Sequence, residues 1–229
     1  MSEWWTYRLT SFLLFSPRTY YRTIELYNVA VWPAQIAGVL LGLAIVALLV
    51  VRWSRREQAI ALLLAACWLW TAWAFLYQRY AQINWIAPWF AAAFAIQALL
   101  LVIGGVVSGR TPLPSRDVQP PTPAIALVAI VIVGYPLLAP LTHRPWATAE
   151  TFGVAPDPTA LATIAVLALV RGATRWLLLI IPLAWCSLTV LTLWAMKAPE
   201  AIVVAAIVVI ALLLGSTRAR KLPHAAGRS

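Results

Sequence analysis

The chain is built of long apolar blocks separated by short polar joints, and within the blocks polarity does not alternate residue by residue. AIVVAAIVVIALLLG (201–215) is typical. A membrane β-barrel would show segments of about 10 residues with every second position apolar. Unbroken runs predict helices that are buried or face lipid. Taken in order, the blocks predict spans near residues 29–51, 58–77, 85–107, 124–141, 176–196 and 201–215, with a shorter seventh block at 159–170. The expected fold class is all-α, a polytopic membrane helical bundle of seven, alternatively six, transmembrane helices.

The polar joints divide this bundle. Residues 1–28 mix Trp4, Trp5, Tyr7, Tyr20, Tyr21 and Tyr27 with Arg and Glu, which suits the headgroup layer. They read as an interfacial N-terminal segment of two short pieces broken at Pro17, and no cleavable signal peptide is expected. The bundle proper is 29–216. SGRTPLPSRDVQPPTP (108–123) is rich in proline and polar residues and reads as the loop between a three-span front and a back part. No internal repeat relates the two. Residues 217–229 form a basic tail.

Composition agrees with this pattern. The chain of 229 residues is 63% hydrophobic and 10% charged, against about 25% charged in soluble domains. The net charge of +10 would suggest nucleic acid in a soluble protein. Here the bases are spread through joints and tail, so they are read as topology signals and anionic-lipid contacts, with no nucleic-acid partner. With seven spans, the C-terminal side carries Arg52, Arg55, Arg56, Arg110, Arg116, Arg171, Arg175, Arg218, Arg220, Lys221 and Arg228. The N-terminal side carries Arg8, Arg18, Arg22, Arg79, Arg144 and Lys197. Positive residues favour the cytoplasm, so the tail is expected inside and the N-terminus outside. With six spans both ends would share a side.

The stretch 143–170, HRPWATAETFGVAPDPTALATIAVLALV, departs from the rest. Its apolar run of twelve residues rises about 18 Å as a helix, well short of a hydrocarbon core of about 30 Å. Either the helix continues past Arg171, with Arg171 and Arg175 snorkelling, or the loop TFGVAPDP dips into the protein. Irregular backbone at that depth is tolerated only where it is buried in protein or lines a wet cavity. Pro156-Asp157-Pro158 predicts a helix start, with Asp157 as N-cap; the sharper alternative is an Asp157 carboxylate facing a cavity.

Other polar residues fall in two further segments on the same expected side. Glu25, Asn28, Trp32 and Gln35 recur at helical spacing, and Tyr77, Gln78, Arg79, Gln82 and Asn84 occupy the joint between spans 2 and 3. Gln97 lies inside span 3; it and Gln35 are expected to bond between helices. The candidate outer-face site is therefore Glu25, Asn28, Gln35, Tyr77, Gln78, Asn84, Gln97, His143, Glu150 and Asp157. Spacings of seven residues do not enforce convergence of His143, Glu150 and Asp157, and no metal or other cofactor is expected. Cys67 and Cys186 sit inside apolar runs and read as inert thiols. Gly38 and Gly42 permit close helix approach. No ionisable residue falls centrally in a full-length span, which argues against a proton-driven pump. No P-loop, HExxH or GxSxG motif is present, so no catalytic residues are assigned.

ELYNVAVWPAQ (25–35), YQRYAQINWIA (77–87) with FAIQALLL (94–101), and TFGVAPDPT (151–159) together resemble a bacterial multi-pass membrane family of unknown function, whose members are sometimes labelled "MFS transporter permease". In similar sequences a His often stands where this chain has Gln78, a Pro where it has Trp85, and a Cys can replace Asp157. The resemblance implies a bacterial inner-membrane protein. A major-facilitator protein has twelve spans in two repeated halves, a pattern this chain lacks. The expected function is an uncoupled small-solute permease or facilitator; the alternative is a non-catalytic accessory or assembly subunit of a larger membrane complex. The expected partners are the lipid bilayer and either further copies of the chain or such a complex.

Overall fold

A computed structural model describes residues 15–51, 53–107, 122–170 and 172–220. Trp4, Trp5, Tyr7, Arg171, nearly all of the proline-rich loop and the last nine residues of the tail lie outside the described residues. Among the described residues every regular element is helical.

Helix α1 (Pro17–Ala30) starts at the proline expected to break it. Ser16 caps it, accepting from Thr19 N at 3.2 Å, and Pro17 fills the first turn, where no N–H is needed. After Val31–Pro33 the chain turns by 89° into α2 (Ala34–Val50). Next come α3 (Arg56–Trp70), running on in π-helical form over Thr71–Tyr77, and α4 (Ala87–Val102). Helix α5 (Thr122–Leu141) is followed by a 14-residue irregular segment, 142–155. The remaining helices are α6 (Pro156–Leu167), α7 (Thr174–Ala195) and α8 (Glu200–Arg220).

Among the described residues four helices are long and apolar enough to cross a membrane, or five if α1 and α2 form one bent span. The expected count of seven is not reached by this measure, because α2 has 17 residues, α6 has 12 and the apolar part of α8 ends at Ser216.

The shortest of these helices is the centre of the bundle. Helix α6 packs against α3, α5, α7 and α8, and every residue from Thr148 to Val170 is buried. A helix apolar on all sides needs neighbours on all sides, and ALATIA supplies small side chains that let them close in. The expectation that the loop dips into the protein is the one the structure follows. Arg144 pairs with Glu200 at the start of α8 (2.9 Å), while Arg175, just beyond α6, donates to the Gly215 carbonyl near its end (3.1 Å). Between those levels α8 rises about 22 Å. Residues 144–170 cover the same depth, first as loop and then as half-length helix, which accounts for the missing helical turns.

Buried loop backbone requires partners, and they come from several elements. Tyr27 Oη donates to the Val154 carbonyl (3.1 Å), and Asn28 Nδ2 donates to the carbonyls of Ala147 and Ala149 (2.8 Å each). Thr159 Oγ1 accepts from Gly153 N (2.9 Å). Gly38 makes room for this loop, and Gly42 makes room for both the loop and helix α5. A Cβ on Gly38 would lie 2.2 Å from the Phe152 carbonyl oxygen, and one on Gly42 would meet Ile132 and the Phe152 ring.

The exterior is apolar. Of the described tryptophans, Trp32, Trp53, Trp70, Trp73, Trp85, Trp89, Trp146, Trp176 and Trp194 are exposed, whereas Trp68 and Trp185 are buried.

Gly38→Ala is expected to destabilise the protein by about 3 kcal/mol, since the clash is with backbone and no side chain can yield. Gly134→Ala, whose new Cβ would meet only Ile130 at an ordinary 3.6 Å, is expected to stay within about 0.5 kcal/mol of wild type. Thermal unfolding of both variants in one detergent checks the difference.

Candidate functional site

Asp157 stands in the first turn of α6 but does not cap it. The N-cap is Ala155, Pro156 opens the helix, and no side chain bonds the free N–H groups there. The Asp157 carboxylate turns outward to α7, where its Oδ1 accepts from Trp185 Nε1 (2.7 Å) and Thr189 Oγ1 (2.8 Å). Trp185 and Thr189 are four residues apart and so share one face of α7. The indole is held edge-to-face by Phe90 and Phe94 of α4, and Phe94 in turn packs on Trp68. Trp68 Nε1 donates to Thr163 Oγ1 of α6 (2.8 Å). A ring stack therefore ties α3, α4 and α7 to the half-helix and aims the indole N–H at the carboxylate.

Glu150, in the loop, is buried beside Asp157. Asp157 Oδ2 has no hydrogen-bond partner.

The floor of a cavity of about 170 Å³ is made by Trp185 and Thr189. Tyr20, Phe75, Tyr80 and Phe90 wall it, with Asn84 at one side. Beside it Arg144 pairs with Glu200, which also accepts from Thr142 Oγ1 (2.9 Å), and the guanidinium lies 4.3 Å over the Tyr21 ring.

The ten candidate residues separate into groups. Glu150 and Asp157 form the buried pair, and Asn84 (7% exposed) lines the cavity, its Oδ1 accepting from Ile86 N. Asn28 holds the loop, and Gln35 Nε2 supports it by donating to the Asn28 carbonyl (2.8 Å) across the bend. Gln35 thus bonds between the successive helices α1 and α2. Gln97 also bonds between helices, its Nε2 donating to the Leu178 carbonyl of α7 (3.0 Å). Glu25 pairs with Arg22 on a part-exposed face of α1. Tyr77, Gln78 and His143 are exposed, His143 with a left-handed backbone (φ 59°). Among the described residues no group of three or more His, Cys, Asp or Glu is placed to hold a metal ion.

Trp185, Thr189, Tyr20, Tyr80 and the Arg144–Glu200 pair were not predicted from the sequence. The i, i+4 pairing of Trp185 and Thr189 was available as a signal, but similar pairs recur throughout a Trp-rich chain.

The molecule is thus an all-helical bundle threaded by a loop and half-helix that bury a pair of carboxyls beneath an aromatic cavity. The chain belongs to the family of unknown function DUF6064, whose family model matches residues 18–224. No curated protein and no solved structure matches it.

Trp185→Phe keeps the ring stack but removes one donor to a buried carboxylate. It is expected to cost about 1–3 kcal/mol, measured by thermal unfolding beside Trp194→Phe, an exposed control.

Proposed function

We propose that this chain is a multi-pass protein of the bacterial inner membrane that acts as a small-solute permease, with the aromatic cavity on the outer side and the basic tail in the cytoplasm. Membrane placement is supported by an exterior of exposed Trp, Leu and Ile on helices long enough to span, a surface that monomeric soluble proteins do not present. The side is supported by the charge distribution between joints.

The observation that carries the permease reading is the junction of a cavity with a broken span. In membrane transporters, discontinuous helices place backbone ends and polar groups near the midplane, where the solute is held. Here α6 begins at about half the depth of α7, with Asp157 beside Trp185 and Thr189 under the cavity. The full-length spans still contribute no central acid, but the loop and half-helix carry two. An argument for uncoupled passage from the spans alone therefore loses its force.

A second reading is an accessory subunit. It is supported by an apolar groove of about 720 Å³ between α2 and residues 146–151, flanked by Trp32 and Trp146, which suits a neighbouring helix or acyl chain.

Proteoliposomes are expected to reswell several-fold faster than empty vesicles after a hyperosmotic step in at least one of glycerol, urea or methylammonium chloride. Thr189→Val and Asn84→Ala are expected to slow this, and Glu25→Gln to leave it unchanged. Equal rates for loaded and empty vesicles with all three solutes would refute passage.

A further inference from the structure

Among the described residues, no charged side chain lines the aromatic cavity. Its floor has no hydrogen left to offer a ligand, because Trp185 Nε1 and Thr189 Oγ1 both donate to Asp157 Oδ1 on the far side (2.7 and 2.8 Å). The wall is a set of rings that hold one another in place. Phe75 and Tyr80 lie nearly parallel, with centroids 5.8 Å apart and 15° between planes. Phe15 meets Tyr80 edge-on at 5.7 Å, and Phe90 meets Trp185 edge-on at 5.5 Å. Polar capacity gathers at one side. There a short turn, closed by Asn84 N donating to the Tyr80 carbonyl (2.9 Å), brings Asn84 and Tyr80 to the same lining. Asn84 Oδ1 accepts from Ile86 N (3.0 Å), which fixes the amide and leaves Nδ2 to donate.

This lining selects by chemistry and size. An ion entering it would lose water and meet no opposite charge on the wall, which is costly. An uncharged ligand pays no such penalty. The volume of about 170 Å³ is close to that of an apolar cavity of about 150 Å³ that takes up benzene. A ring placed among rings gains edge-to-face and offset contacts beyond the area it buries, and one hydroxyl can both donate and accept at the polar side. Access is lateral. The rim is made by half-buried Ile86 and Phe90 at the start of α4 and by half-buried Thr192 and exposed Leu188 on α7. The same two helices carry exposed Trp89 and Trp194, and amphipathic rings collect at the membrane–water interface.

We propose that this cavity binds a small neutral phenol, its single ring packed among Tyr80, Phe90 and Trp185 and its hydroxyl at Asn84, entering between α4 and α7. No bond is made or broken. The site does not rest on the permease reading, since a ligand that enters and leaves from the side needs no route through the bundle.

The test is calorimetric titration of the purified full-length protein in detergent with phenol at pH 7, where the phenol is neutral, after subtraction of the heats in protein-free micelles. Saturable binding is expected. Cyclohexanol, which has the hydroxyl without the aromatic face, and toluene, which has the ring without the hydroxyl, are each expected to bind at least five-fold more weakly. Asn84→Ala is expected to weaken phenol at least five-fold and to leave toluene within two-fold, so that the preference between them disappears. Phe90→Leu is expected to weaken both at least three-fold. Trp89→Leu, at a 73% exposed ring outside the cavity, is expected to bind as wild type does. Heats that stay linear in phenol, cyclohexanol bound as tightly as phenol, or a folded Asn84→Ala variant that keeps the preference for phenol over toluene would overturn the proposal. The comparison of three ligands on the wild type decides the matter where a variant does not fold.

Phenol binding by a protein that shows no vesicle reswelling would retain this site and remove the permease reading; reswelling without phenol binding would do the reverse.

Discussion

The structure depends on burying irregular backbone. A peptide group without a partner costs most where water is excluded, and residues 148–155 run through the middle of a bundle. Their partners are drawn from the side chains of Tyr27, Asn28 and Thr159. Space is drawn from Gly38 and Gly42, which let the Phe152 carbonyl and ring lie directly on α2. The sharp corner between α1 and α2 acquires a purpose in this light. It brings Asn28 and Gln35 side by side, one holding the loop and the other holding the first.

The same constraint creates the chemistry. A continuous span would carry only apolar side chains through this depth. A loop followed by a half-helix carries Glu150 and Asp157 there, and the first turn of α6 places Asp157 against α7. The aromatic stack from Trp68 through Phe94 to Trp185 then fixes the donor that receives it. Rigid rings suit this task because they lose little conformational freedom on packing.

Much of the framework was legible in the sequence. Unbroken apolar runs located the helices because their length is set by helical rise. The shortness of 159–170 exposed the broken element by the same arithmetic. Asn28, Asn84, Glu150 and Asp157 were visible as polar residues in three segments, and two of these segments meet where Asn28 donates to the carbonyls of Ala147 and Ala149. The role of Asp157 was not legible. An Asp beside two prolines caps a helix by local rules, and only the presence of Trp185 and Thr189 within 2.8 Å turns the carboxylate elsewhere.

By itself, then, the sequence determined an all-helical chain with an apolar exterior, the position of its one defective apolar block, and which polar residues were available. Those follow from local periodicity and length. Tertiary structure alone decided that the defective block is the centre, that Gly38 faces a loop carbonyl, and that two carboxyls share a buried place. These depend on contacts between residues far apart in the chain, such as Asp157 with Thr189 and Asn28 with Ala149, which no local pattern specifies.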